Sequence, residues 1–381
     1  MKNILHASES TSLIMTLQAL CFGGEMPVEV PFQQLKEYGL GSWAWYFAHD
    51  KLPSPARIQA RNFYFANSAV DFKQEVTFHR LETLFEKSGV RYCPIKGADL
   101  AWRVYPTGAL RPKADLDIFI HPEDYSSALK SLQQDGGYVP YQTICASHYP
   151  PMIYHGVSLE LHFKLPLTEK CDSGEIWNDL LQVKGCRYQL PLELNLLMLF
   201  QHCRQHRWEI VPKLLMDCAF LIRKEGMPDW ARIDAFAKRF LCASPALFFA
   251  AFPDFFPAVT MPPRDFPTAV CQVFRELMFS SVNLESYKHE IVMSTADRFT
   301  FRWFLARLRG MKPGSIRSQT HNPRGNYGKL LAGYWQISRQ KLYALWRYRH
   351  GTNNEVIQKR LAELDRIEKI LLQSREPENH I

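Results

Sequence analysis

The sequence predicts an α+β chain in which a small mixed β-sheet is held between helical regions on its N-terminal and C-terminal sides. Three observations predict it. Residues from about 10 to 88 repeat their apolar positions at helical spacing, and the same spacing returns from about 190. Between them, "DLDIFI" and "VSLELHF" alternate with the period of two that marks a strand. Turn residues punctuate that middle stretch every ten residues or so, as expected of short strands and helices in close succession. The resulting organisation is a helical region over 1–88, an α/β core over 89–190, a helical domain over 191–290 and a basic, aromatic-rich helical region over 291–381.

The bulk composition agrees with a folded protein. The chain has 381 residues, 46% hydrophobic and 22% charged, and a formal net charge of +8. Its 9 cysteines are odd in number and form no CxxC pair, so neither a disulfide framework nor a zinc ribbon is expected. The N-terminus is broken by His6, Glu9 and Ser10 and makes a poor signal peptide, and no apolar run is long enough to cross a membrane. A reducing, cytoplasmic setting is the expectation.

Taken in order, "SLIMTLQALCF" has helical spacing. So has "DFKQEVTFHRLETLFEKSG", with Phe72, Val76, Phe78, Leu81, Leu84 and Phe85 as its apolar positions and Ser88–Gly89 as its stop. "VRYCPIKG" is a short strand, "ADLAWRVY" a turn or two of helix, and "DLDIFI" a second strand. "PEDYSSALKSLQQDGG" reads as a helix, with Pro122 near its start, acids in its first turn and glycines at its end. "YVPYQTICA" and "PMIYHGVSLELHFKL" supply further strands, the latter a hairpin turning at His155–Gly156. "LELNLLMLFQHCRQHRW", "KLLMDCAFLIRKEG" and "DWARIDAFAKRF" are successive helices.

The chemistry concentrates in "RPKADLDIFIHPEDY". Leu116, Ile118 and Ile120 make one apolar face of the strand, while Asp115 and Asp117 share the other with Phe119. Adjacent carboxylates repel, and desolvation makes that worse, so a divalent cation is the expected counterweight. The alternative is a solvated strand edge that carries two acids. On "VSLELHF", Glu160 and His162 share the polar face, and in one sheet Glu160 would stand beside the two aspartates. Three carboxylates around one or two Mg2+ ions make an oxygen-rich site for a nucleoside triphosphate. The alternative for Glu160 is a surface position on a hairpin. Gly97 lies where a strand becomes a helix, a junction whose free N–H groups suit phosphate, and Lys96 and Arg111 would neutralise charge there unless they are ordinary surface cations. Asp99 reads as a first-turn helix acid. His202 and His206 share a helix face without the glutamate of HExxH, which favours a polar network or substrate-lining role over zinc, for which only Asp217 offers a third ligand.

These pieces together resemble a bacterial nucleotidyltransferase family of unassigned substrate within the DNA polymerase β-like superfamily. Lys96-Gly97 before a short helix, Arg111-Pro112 before Asp115-Leu116-Asp117, and Glu160-Leu161-His162 carry the likeness, which extends over roughly residues 60–240. The resemblance implies a metal-dependent transferase. It would move a nucleoside monophosphate from an NTP to an acceptor hydroxyl (of a sugar, small metabolite, peptide or RNA) and release pyrophosphate. Asp115, Asp117 and Glu160 would be catalytic and hold two Mg2+ ions. Lys96, Gly97, Ala98, Arg111 and His162 would bind the nucleotide. Two departures stand out: Ala98 replaces the usual Ser or Gly, and Glu160 replaces the more frequent Asp. A fold retained as a binding module, or an RNA-directed transferase, are the other readings.

Residues 298–349 hold twelve Lys and Arg and no Asp or Glu, interleaved with aromatics. Such a stretch suits an anionic partner, either nucleic acid or a membrane surface, or a helical unit whose charges stay wet. "NNEVIQKRLAELDRIEKILLQ" has the amphipathic spacing of a helix that covers the body or a partner.

Overall fold

The computed structural model of the chain describes residues 7–22, 30–140, 148–165, 167, 173–208, 210–256, 266–278, 335, 339 and 354–373. All of the basic stretch expected to meet an anionic partner except 335 and 339, and most of the strand expected at "YVPYQTICA", lie outside the described residues. The part of that strand that is described makes only an isolated bridge, Tyr138 to Ile153.

The N-terminal helices are α1 (Ala7–Phe22), α2 (Phe32–Glu37), α3 (Gly41–Ala48) and α4 (Ser54–Ser88). At 35 residues α4 reaches much further back than its sequence stripe suggests. Pro55 opens it, where a missing N–H costs nothing, and Gly89 closes it at φ +66, letting Val90 N–H reach the Phe85 carbonyl. The expected apolar stripe is divided: Phe78, Leu81 and Phe85 are buried, whereas Phe72 and Val76 are 68% and 54% exposed.

The core then runs β1 (Tyr92–Pro94), α5 (Gly97–Arg103), β2 (Leu116–Ile120), α6 (Tyr125–Gln134), β3 (Met152–Tyr154), β4 (Val157–His162), α7 (Ser173–Trp177), β5 (Leu181–Lys184) and β6 (Arg187–Gln189). The sheet order is β3-β4-β2-β1-β6-β5. β2 is central, parallel to β4 and antiparallel to β1. The β3–β4 hairpin turns at His155 and Gly156, both at positive φ, as a two-residue turn requires. The β5–β6 hairpin has no counterpart in the sequence reading, because its strands are short and half-exposed and lack a buried alternating face.

β2 is buried along both faces. Leu116, Ile118 and Ile120 join Leu159 and Leu161 of β4 in a core closed by Phe78, Leu81 and Phe85 of α4 and by Ala128 and Leu132 of α6. Phe119 points into a second, larger core shared with the helices that follow. Those are α8 (Leu192–Gln205), α9 (Val211–Glu225), α10 (Trp230–Arg239), α11 (Ala246–Ala251), α12 (Thr268–Met278) and α13 (Asn354–Gln373). α13 docks on the protein's own body: Ile367 and Leu371 are buried in that core, and Arg204 of α8 pairs with Glu368. Among the described residues no helix is long and apolar enough to cross a membrane, and the seven cysteines described are all free thiols.

Candidate active site

Parallel register sets the site. Asp117 on β2 is directly abreast of Glu160 on β4, and Phe119 is abreast of His162. All four therefore share the face of the sheet opposite α4 and α6, the face on which Phe119 meets the core of the later helices. His162 Nε2 lies 2.8 Å from Asp117 Oδ1 and 3.6 Å from Glu160 Oε2. His148, bridged to the same strand, puts its Nε2 3.7 Å from Glu160 Oε2. One atom from each of Asp117, Glu160 and His162 lies within 4.8 Å of the others. Two carboxylate oxygens and one imidazole nitrogen at that spacing fit a divalent ion.

The convergent group holds two of the three expected carboxylates, Asp117 and Glu160, together with His162. His162, anticipated as a nucleotide contact, completes the convergent group. Asp115 precedes β2 rather than lying on it and is not in that group. It still feels the cluster: burial, then the charges of Asp117 and Glu160, push its pKa up to about 6. Asp117 behaves oppositely. Burial works against its ionisation, but Lys96 and His162 outweigh that and hold it well below the usual carboxylate range. The hydrogen bond from His162 likewise lowers Glu160. Burial resists charging His162, yet its bonds to Asp117 and Glu160 leave its pKa above the ordinary value. Its Nδ1 is buried without a hydrogen-bond partner, so Nε2 is the atom turned to the acids.

Lys96 donates to Asp117 Oδ1 at 2.7 Å. It reaches there from an unusual backbone, φ +53 and ψ −128, a region that L-residues avoid. The turn Ile95–Lys96–Gly97–Ala98 is closed by Ala98 N–H to the Ile95 carbonyl at 3.2 Å, and Ile95 N–H is tied to the Asp117 carbonyl at 3.0 Å. A Cβ at Gly97 would lie 3.0 Å from Lys113 Cβ, so any side chain there must push Lys113 aside by a few tenths of an ångström. Ala98 departs from its expected role: its side chain is buried in the core and its N–H is committed within the turn.

Arg111 also departs from expectation. Its Nε and Nη2 grip Asp217 of α9 at 2.6 and 2.8 Å, both residues are buried, and Tyr105 donates to the same carboxylate. The two-pronged donor is therefore spent on a strut between core and helices, and Asp217 is taken away from any zinc site at His202 and His206. Those two imidazoles meet edge to face, with centroids 4.5 Å apart. Burial and then nearby Lys96 hold His202 neutral, far below its usual pKa, so it lines the site as an uncharged ring. Asp99 is buried and bonded to Arg103 and Asn195, a structural acid as expected.

Lys213, in the first turn of α9, is the residue that sequence reasoning missed. Its ammonium donates to the Pro112 carbonyl at 3.0 Å and has no carboxylate ion-pair partner among the described residues. Burial, then the charge of Arg111, lowers its pKa to about 7, while Asp217, Asp115 and Asp117 pull the other way. Its only signal in the sequence was a cation four residues before Asp217 on one helix face.

Residues 40–254 match the family described as uncharacterised nucleotidyltransferase. No curated protein and no solved structure matches the chain. The match runs from the start of α3 to just beyond α11, covers more than half of the sequence and includes every site residue named above. The chain belongs to the uncharacterised nucleotidyltransferase family.

Proposed function

We propose that this protein transfers a nucleoside monophosphate from an NTP to an acceptor hydroxyl and releases pyrophosphate. The observation that carries the reading is the register of β2 and β4, which sets Asp117 beside Glu160 with His162 bonded between them, next to the Lys96 turn. The same residues support a place in the DNA polymerase β-like superfamily. A divalent cation held by Asp117, Glu160 and His162 would neutralise charge on the transferred phosphoryl group. The imidazole in the donor set shifts preference from Mg2+ toward Mn2+.

The chain's own groups supply the rest. Lys96 and His162 hold Asp117 ionised and in place before the cation arrives. Lys96 then turns its ammonium to the phosphates, with Lys213 as the second cation in the role expected of Arg111. Asp115, near the same cluster, favours a second cation. Glu160, ionised at neutral pH, accepts the proton of the acceptor hydroxyl. His202 and the helical side of the cleft contact the acceptor. A nucleotide-binding module without transfer is the second reading, favoured by Ala98, which offers neither a hydroxyl nor a free N–H.

Calorimetry with each NTP, with Mn2+ or Mg2+, tests the proposal together with a pyrophosphate-release assay. At least one NTP should bind only with metal, and Asp117→Asn should abolish that binding. Binding without pyrophosphate release in the presence of cell extract supports the second reading, and no binding of any NTP ends both.

A further inference from the structure

The division of the α4 stripe leaves an apolar seam facing outward. Ile58, Phe65, Phe72 and Val76 are 57%, 54%, 68% and 54% exposed. Asn62 and Ala69 between them are exposed too. Positions 58, 65 and 72 are seven apart, and so are 62, 69 and 76. This is the 3.5-residue repeat with which one helix meets another along its length. An ordinary solvent face has no reason to keep three large apolar side chains in that register.

We propose that this face joins a second copy of the chain, α4 against α4, antiparallel about a two-fold axis near residue 67. In that arrangement Ile58 meets Val76, Phe65 meets Ala69 and Phe72 meets Asn62 of the second copy. Two of the three layers thus pair a large ring with a small side chain, as close packing of two helices requires. The flanking charges agree. Arg61 lies beside Phe65, with its guanidinium 5.6 Å from the ring centroid. Among the described residues neither Arg61 nor Glu75 has an ion-pair partner within the chain. Antiparallel pairing brings Arg61 to Glu75 of the second copy, twice per dimer. The opposite flank is already fixed internally, because Lys73 bonds to the Gly156 carbonyl and Arg80 to Asp135. A parallel pair would stack Phe65 on Phe65 and set Arg61 against Ala66, leaving the charges unmatched.

Sedimentation velocity and light scattering on the full chain test this. The wild type should have twice the chain mass at micromolar concentration. Phe72→Glu, at an exposed position, should give a folded monomer. Arg61→Glu should weaken the dimer about tenfold, and Arg61→Glu with Glu75→Arg should restore it. A monomeric wild type overturns the proposal, as does a dimer indifferent to Phe72→Glu. Failure of the charge swap to restore association overturns the antiparallel pairing. A monomer that binds anionic vesicles through this face would assign the seam to a membrane instead.

Discussion

Replacing Lys96 separates two things the residue does. Its backbone occupies φ +53, ψ −128, and its amine neutralises Asp117. An L-residue in such a region stores about 1–3 kcal/mol, which glycine would not. Glycine also loosens the unfolded chain, costing about 0.4–1 kcal/mol relative to alanine. Both Lys96→Gly and Lys96→Ala remove the 2.7 Å bond to Asp117 Oδ1, so that loss cancels between them. The difference left is about 1–2 kcal/mol in favour of glycine, or roughly 1–3 °C in Tm for a chain of 381 residues. Paired thermal and urea melts of the two variants measure it. Both should lose metal-dependent nucleotide binding to the same extent, because neither carries the amine. If Lys96→Ala melts at or above Lys96→Gly, the turn is not strained and the account of how the amine is aimed fails.

Asp115→Asn should stabilise the metal-free protein at pH 7.5. A carboxyl raised to about 6 in the fold is bound to its proton more tightly there than in the unfolded chain, so it erodes stability as pH rises from about 4 to 6. The gain should be of order 2 kcal/mol at neutral pH and vanish near pH 4; a gain that persists at pH 4 rules out this cause. Asp217→Asn leaves Arg111 buried without its counter-charge and should cost about 3–5 kcal/mol in chemical denaturation, whereas Arg111→Met with Asp217→Leu should recover much of the loss. Lys213, near pH 7 on the edge between charged and neutral, should take up a proton when a triphosphate binds. Wild-type affinity should fall from pH 6.5 to 8.5, and Lys213→Arg should flatten that profile; identical profiles would remove Lys213 from the site. Mn2+ should bind the nucleotide-free protein more tightly than Mg2+, and His162→Gln should narrow the gap as read by calorimetry.

The heart of the fold was legible because alternation is a local signal. The period-two runs at 116–120 and 157–163 gave both strands, and their buried halves fixed which carboxylates share a face. The membership of the convergent group was harder. Asp115 and Asp117 look equivalent in the sequence, but Asp117 lies on the strand and is bonded to His162, whereas Asp115 precedes the strand and feels the same charges from beside the convergent trio. Arg111 was read as a free cation because its partner, Asp217, lies 106 residues away on a helix whose docking no local pattern reveals. A separation of 101 residues from Pro112 hid Lys213 likewise. On α4, spacing showed that Phe72 and Phe78 are apolar helical positions, but not that one faces the core and the other faces away.

The clasp of Arg111 and Tyr105 on Asp217 also bears on how guests are admitted. It rivets the connection between α5 and β2 to α9. Prising the halves apart there would strand a guanidinium in a dry seam, at a penalty of several kcal/mol. That contact thus favours two halves fixed in place over a hinged pair. If the proposed transfer is the activity, discrimination between rival acceptors would then fall to side-chain shape around Asp117 and Glu160, and not to a swing of one half against the other.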